Sequence, residues 1–66
     1  MTHAARIDRA IRELTRAKES IAKRDFNDAA ASMWIAVENC SATLNKLEDS
    51  HGIDGESLCI ARRGSS

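Results

Sequence analysis

The sequence predicts an all-α protein in which an antiparallel helical hairpin dimerises into a four-helix bundle and ends in a short C-terminal tail. Apolar residues recur at alternating spacings of three and four, and one short polar break near residue 25 divides this repeat. The chain has no proline and only three glycines. Because a strand would need alternation with period two, these spacings favour helices. A length of 66 residues is enough for one small domain.

Two helices are predicted, over about residues 3–24 and 26–50, inside a hairpin that spans residues 1–52. Each carries an apolar stripe at the a and d positions of a heptad repeat. The stripe of the first helix consists of Ala4, Ile7, Ile11, Leu14, Lys18 and Ile21. The stripe of the second helix consists of Phe26, Ala30, Met33, Val37, Cys40, Leu44 and Leu47.

The ends of the second helix have their own signals. Asp25 suits an N-cap, because its carboxylate can accept a hydrogen bond from a free backbone N–H of the first turn. Gly52 suits the left-handed position that follows a helix. The connection between the helices is so short that they must run antiparallel, and we expect their two stripes to face each other. Residues 53–66 read as a weaker tail with room for a short helical turn.

A single hairpin offers only a one-layer core, which is too small to be stable without a staple or a partner. The g positions beside the stripes carry alanines, which would widen the apolar face and let a second hairpin approach closely. The sequence therefore predicts a homodimer. The predicted dimer interface consists of Ala10, Leu14, Ala17, Ala29, Met33, Ala36, Val37 and Cys40.

The composition and motifs argue against several functional classes. We find no catalytic motif and expect neither enzymatic activity nor a cofactor. Cys40, His51 and Cys59 do not have the spacing of a zinc site, so we expect no metal. No apolar run approaches the length of a membrane span, and the N-terminus lacks the apolar stretch of a secretory signal. We therefore expect a cytoplasmic protein with reduced thiols.

Trp34 and Ile35 do not belong to the predicted stripe. Trp34 could simply cover Thr15 and Ala22, and Ile35 could be an isolated exposed apolar residue. The alternative is a binding patch for another protein, because tryptophan is enriched among the residues that anchor interfaces. The two residues are adjacent in the chain, which favours this second interpretation. Trp34 and Ile35 are the predicted partner-binding residues.

Nucleic acid is a further candidate partner, which the sequence allows but does not favour. Arg9 and Arg16 share one column of the first helix, and Arg12 flanks it, so a dimer would present two basic helical faces. Ten basic and ten acidic residues nevertheless cancel over the whole chain. This neutrality is not typical of a general nucleic-acid binder.

The heptad pattern over residues 3–50 resembles two families of small helical proteins. One is the Rop family of plasmid copy-number regulators, whose hairpins dimerise and bind paired RNA loops. The other is the phage quorum-sensing anti-activators, which dimerise and block a LuxR-type transcription factor. The second resemblance implies a non-enzymatic protein that binds and inhibits a host regulatory protein. The alternatives are a Rop-like RNA-binding dimer and a structural or assembly hairpin.

Overall fold

The computed structural model describes residues 2–64, which form three α-helices: α1 (His3–Ala22), α2 (Phe26–His51) and α3 (Gly55–Gly64). Helices α1 and α2 pack together as an antiparallel hairpin. This confirms the predicted all-α class and the antiparallel hairpin, and the two predicted helices end within two residues of the observed bounds. The dimerisation into a four-helix bundle stays a prediction. The predicted tail contains a complete helix, and its last two residues, 65 and 66, lie outside the described part of the chain.

The turn between α1 and α2 is built from backbone hydrogen bonds that end one helix and start the next. The N–H of Asp25 donates to the carbonyl of Ser20 at 2.8 Å, and the N–H of Arg24 donates to that of Ile21 at 3.0 Å. These two bonds form a Schellman motif, in which Arg24 takes the left-handed conformation (φ 61°). Asp25 then caps α2 as predicted, because its Oδ1 accepts from the N–H of Asp28. One short turn thus reverses the chain.

The C-terminal end of α2 and the start of α3 are also defined by polar contacts. Gly52 is left-handed (φ 62°), as predicted. Asp54 caps α3, because its carboxylate accepts hydrogen bonds from both the N–H and the hydroxyl of Ser57. The N–H of Gly55 donates to Glu48 on α2 at 3.0 Å. These contacts make α3 a defined element that is attached to the end of α2.

The interior of the hairpin consists of small side chains. Among the described residues, the buried apolar ones are all alanines, and they are only 1–3% exposed. With the buried polar residues they form what we call the small-residue seam: Ala10, Ala17 and Ser20 on α1, and Ala29, Ser32, Ala36 and Thr43 on α2. The expectation that the two apolar stripes face each other inside one hairpin is therefore wrong. Small residues close the hairpin because they allow the two backbones to approach.

Both apolar stripes consequently lie on the same side of the hairpin. On each helix the stripe lies about 90° around the axis from the seam, in the same rotational sense when viewed from the N-terminus. Because α1 and α2 run in opposite directions, these equal rotations point to one side of the pair. The hairpin is thus a single layer with one apolar side.

The dimensions of the molecule agree with a single layer. The Cα extents are 41 × 33 × 15 Å and the radius of gyration is 14.2 Å. A compact domain of this length would have a radius of gyration of about 11 Å. Two packed helices cannot span 33 Å, so α3 must extend away from the hairpin. The single chain is therefore far from compact.

We expect Ala36→Leu to destabilise the hairpin by about 1–3 kcal/mol, because the larger side chain would overpack the seam. The matched control is Ala31→Leu, which makes the same change at an exposed position of α2. Thermal unfolding followed by circular dichroism, at equal protein concentrations, measures both variants. Equal melting temperatures for the two would contradict the buried position of Ala36.

We expect Arg24→Gly to raise stability by up to about 1 kcal/mol, because glycine adopts the left-handed conformation without the steric cost of a Cβ atom. The control is Arg24→Ala, which removes the same charge but keeps the Cβ atom. Denaturant unfolding compares the two. A glycine variant no more stable than the alanine variant would argue against strain at this turn.

Candidate interaction surfaces

One side of the hairpin is lined by large apolar side chains that contact solvent. We call this the apolar face; its members are 40–55% exposed, and they are Ile7, Ile11, Leu14 and Ile21 on α1, and Met33, Val37 and Leu44 on α2. Cys40 lies on the same stripe of α2 and is also exposed. A contiguous apolar surface of this kind is typical of an interaction site rather than of ordinary protein surface.

Trp34 stands at the edge of the apolar face. It is 67% exposed, and it lines an open groove of about 350 Å³ together with Ala30, Met33 and Val37. Its ring therefore extends the apolar face outward, on the side of α2 that points away from α1. A large aromatic side chain in this position can add substantial contact area to an interface.

Ile35 lies in different surroundings from Trp34. It is half-buried and lines a second hollow of about 350 Å³. The other residues of this hollow come from both helices, and they are Arg6, Arg9, Glu38, Asn39 and Ala42. Adjacent residues of a helix point in directions about 100° apart. The two predicted partner-binding residues thus belong to separate surfaces and do not form one patch.

The side of the hairpin opposite to the apolar face is polar, and we call it the polar face. Near the turn, the guanidinium of Arg16 donates to both carboxylate oxygens of Asp28, from Nη2 at 3.1 Å and from Nε at 3.3 Å. The hydroxyl of Ser20 also donates to Asp28. These bonds join α1 to α2 at the polar edge of the seam. Arg16, one of the three arginines considered for RNA binding, is therefore already paired within the chain.

The same contacts change the acidity of the groups involved. The hydroxyl of Ser20 and then the guanidinium of Arg16 lower the pKa of Asp28, because both stabilise the ionised carboxylate. The carboxylate in turn raises the pKa of Arg16. Asp28 is therefore ionised in the folded hairpin down to lower pH than in an unfolded chain.

The structure divides the residues of the predicted dimer interface into two groups. Leu14, Met33, Val37 and Cys40 are exposed on the apolar stripe. Ala10, Ala17, Ala29 and Ala36 are buried in the seam between α1 and α2. The expectation that these alanines widen an outer face is therefore wrong, because the packing of α1 against α2 already covers them.

The described residues contain no group of three or more histidine, cysteine or acidic side chains that could hold a metal ion. Cys40 and Cys59 are both free and exposed. Within residues 2–64, no helix is long and apolar enough to cross a membrane. The remaining candidate surfaces are the apolar face, the hollow around Ile35 and the rest of the polar face.

We expect Asp28→Asn to reduce the dependence of stability on pH. Because the folded state lowers the pKa of Asp28, its ionised form stabilises the hairpin above the unfolded pKa of about 3.9. This stabilisation is lost as the pH falls through the lowered pKa. The variant should be less stable than the wild type at pH 7, and the two should converge in strong acid.

The control for this measurement is Asp49→Asn, which removes the same charge from an exposed position of α2. Urea unfolding at several values between pH 2 and pH 7 follows all three proteins. Ser57 lowers the pKa of Asp54, and this residue is present in all three proteins. Asp54 therefore adds the same pH dependence to the stability of each protein. A constant stability difference between wild type and Asp28→Asn across this range would contradict the assignment.

No protein-family model, no curated protein and no solved structure matches this chain. The resemblances to the Rop family and to the phage anti-activators stay predictions from the heptad pattern.

Proposed function

We propose that this chain is a small non-enzymatic interaction protein that works as a homodimer. Two hairpins would bury their apolar faces against each other and so form a four-helix bundle. The observation that carries this proposal is the apolar face: seven large apolar side chains lie on one side of a single layer whose own interior contains only small residues. A second layer would give these side chains the core that one chain does not provide.

The exposed area supports a second copy. The chain has an accessible surface of 5326 Å². A compact monomer of 7.2 kDa would expose roughly 4,100 Å². The difference of about 1,200 Å² exceeds the ~800 Å² that each partner buries in a standard stable interface. A dimer that covers the apolar face would remove part of this excess, and α3, which extends away from the hairpin, accounts for the rest.

We further propose that the dimer binds and inhibits a host regulatory protein, such as a LuxR-type transcription factor. The polar face remains outside the bundle and is available to such a partner. It combines a half-buried apolar side chain, Ile35, with groups of both signs, Arg9 and Glu38, around one hollow. Mixed charge around an apolar residue suits a protein surface better than the uniform negative charge of a phosphate backbone.

RNA binding is the second candidate function, and a column of arginines favours it. Arg9, Arg12 and Arg16 lie along α1 in each copy. However, Arg16 is paired with Asp28, and Arg9 shares its hollow with Glu38. A third candidate is a structural or assembly hairpin, in which the apolar face would be the whole interaction surface. The pairing of Arg16 with Asp28, and the acidic Glu38 in the same hollow as Arg9, support a protein partner over RNA.

We expect Ile35→Ala and Trp34→Ala to have different effects. Ile35→Ala should leave the dimer intact and weaken capture of a purified LuxR-type regulator about thirtyfold, the effect of losing a contact worth about 2 kcal/mol. Trp34→Ala should weaken the dimer, because its side chain borders the apolar face. Sedimentation measures the stability of the dimer in both variants. Binding to a panel of purified LuxR-type regulators measures the capture of the partner.

The double variant Arg9→Gln, Arg12→Gln tests whether RNA is the partner. If RNA is the partner, these changes abolish binding to a paired RNA loop and reduce the salt dependence of binding, while Ile35→Ala has little effect. A wild-type protein that is a stable folded monomer at micromolar concentration would contradict the dimer itself.

A further inference from the structure

The two helices of the hairpin differ in charge. Helix α1 carries five basic and three acidic side chains, whereas α2 carries one basic and four acidic side chains. The hairpin therefore presents a basic helix on one side of its apolar face and an acidic helix on the other. This asymmetry matters when a second copy covers the face.

Two arrangements with twofold symmetry can bring the apolar faces together. If the axis is parallel to the helices, each α1 lies over the partner's α2. If the axis is perpendicular to the helices, within the plane between the layers, each α1 lies over the partner's α1 and each α2 over the partner's α2. Neighbouring helices are antiparallel in both arrangements, so helix direction does not distinguish them, but charge does.

We propose that the twofold axis of the dimer runs parallel to the helices, so that each basic α1 packs between two acidic α2 helices. This inference rests on the proposed dimer and adds its topology. In the other arrangement the two acidic α2 helices would be neighbours, as would the two basic α1 helices. Juxtaposed like charges disfavour an interface, whereas complementary charges steer association and fix the register.

The hairpin itself then sets the register of the dimer. Rotation about an axis parallel to the helices leaves the height of every residue along the bundle unchanged. Within one chain, Ser20 lies opposite Asp28, and Arg9 lies beside Asn39. Trp34 is therefore at the height of the partner's Thr15, and Asp8 is at the height of the partner's Ser41.

These pairs also lie on the same flank of the bundle. Thr15 and Trp34 occupy the heptad e position of their helices, which points away from the seam, as do Asp8 and Ser41. In antiparallel helix pairs, e positions flank the contact and face e positions of the neighbour. The arrangement places the large ring of Trp34 beside the small side chain of the partner's Thr15, which assigns Trp34 to the dimer rather than to a third protein.

Cross-linking tests this topology. In a Cys40→Ala, Cys59→Ser background, we expect the Asp8→Cys, Ser41→Cys protein to form a covalent dimer with a short bis-maleimide reagent. Within one chain these two positions lie on opposite edges of the hairpin, so the reagent cannot join them. Each single variant is a control. In the matched protein with Asp8→Cys and Thr15→Cys, the two thiols lie about 10.5 Å apart on one helix, so the reagent can join them within one chain. This protein should form no covalent dimer, because such a product would need α1 beside the partner's α1.

Sedimentation of the wild type and of the background separates the possible failures. A monomeric wild type would overturn both the proposed dimer and its topology. If the wild type is a dimer but the covalent dimer forms through residues 8 and 15, or through neither pair, the topology alone is overturned. A second measurement needs no variant: the wild-type dimer should weaken a few-fold as salt screens the opposite charges. Tighter association at high salt would indicate that like helices face each other.

Discussion

The close approach of α1 and α2 along the small-residue seam is the constraint on which the rest of the structure depends. Ala17 and Ala36 occupy almost no space between the helices, and Ser20 reaches Asp28 across the seam. Because alanine and serine bury little apolar area, the seam contributes less hydrophobic free energy than a leucine or isoleucine core would. It leaves the large apolar residues exposed on one side of the layer, where the proposed second copy would cover them.

The sequence predicted the helices well because their signals are local. Asp25 and Gly52 mark the ends of α2, and the spacing of apolar residues marks the length of both helices. The sequence did not reveal which face closes the hairpin, since the small-residue seam and the apolar stripe repeat with the same period. The seam of α2 is marked in the sequence by a second series of small residues at spacings of three, four and seven, from Ala29 through Ser32 and Ala36 to Thr43.

The candidate sites were harder to predict because they depend on directions around a helix axis. Trp34 and Ile35 are neighbours in the chain, yet one turns toward the apolar face and the other toward the polar face. The column of arginines on α1 can be recognised from the heptad positions of the sequence. The pairing of Arg16 with Asp28 cannot, because it depends on the register of the hairpin. Helix α3 had a usable signal in Asp54 and Ser57, an acidic cap followed by a hydroxyl three residues later.

Folding of the hairpin and formation of the proposed dimer are linked through the seam. The apolar face exists as a continuous surface only while α1 and α2 are packed together. A larger residue at Ala17 would therefore weaken the proposed dimer, although this position is buried in the seam and does not contact the second copy. Conversely, a second copy that binds only the closed hairpin stabilises it by mass action, and the melting temperature then rises with protein concentration. In the proposed dimer, the seam fixes the geometry of each hairpin, and the second copy supplies the apolar burial that the seam lacks. If the dimer forms as proposed, a chain of this size specifies its fold with alanines and serines and gains its stability from assembly.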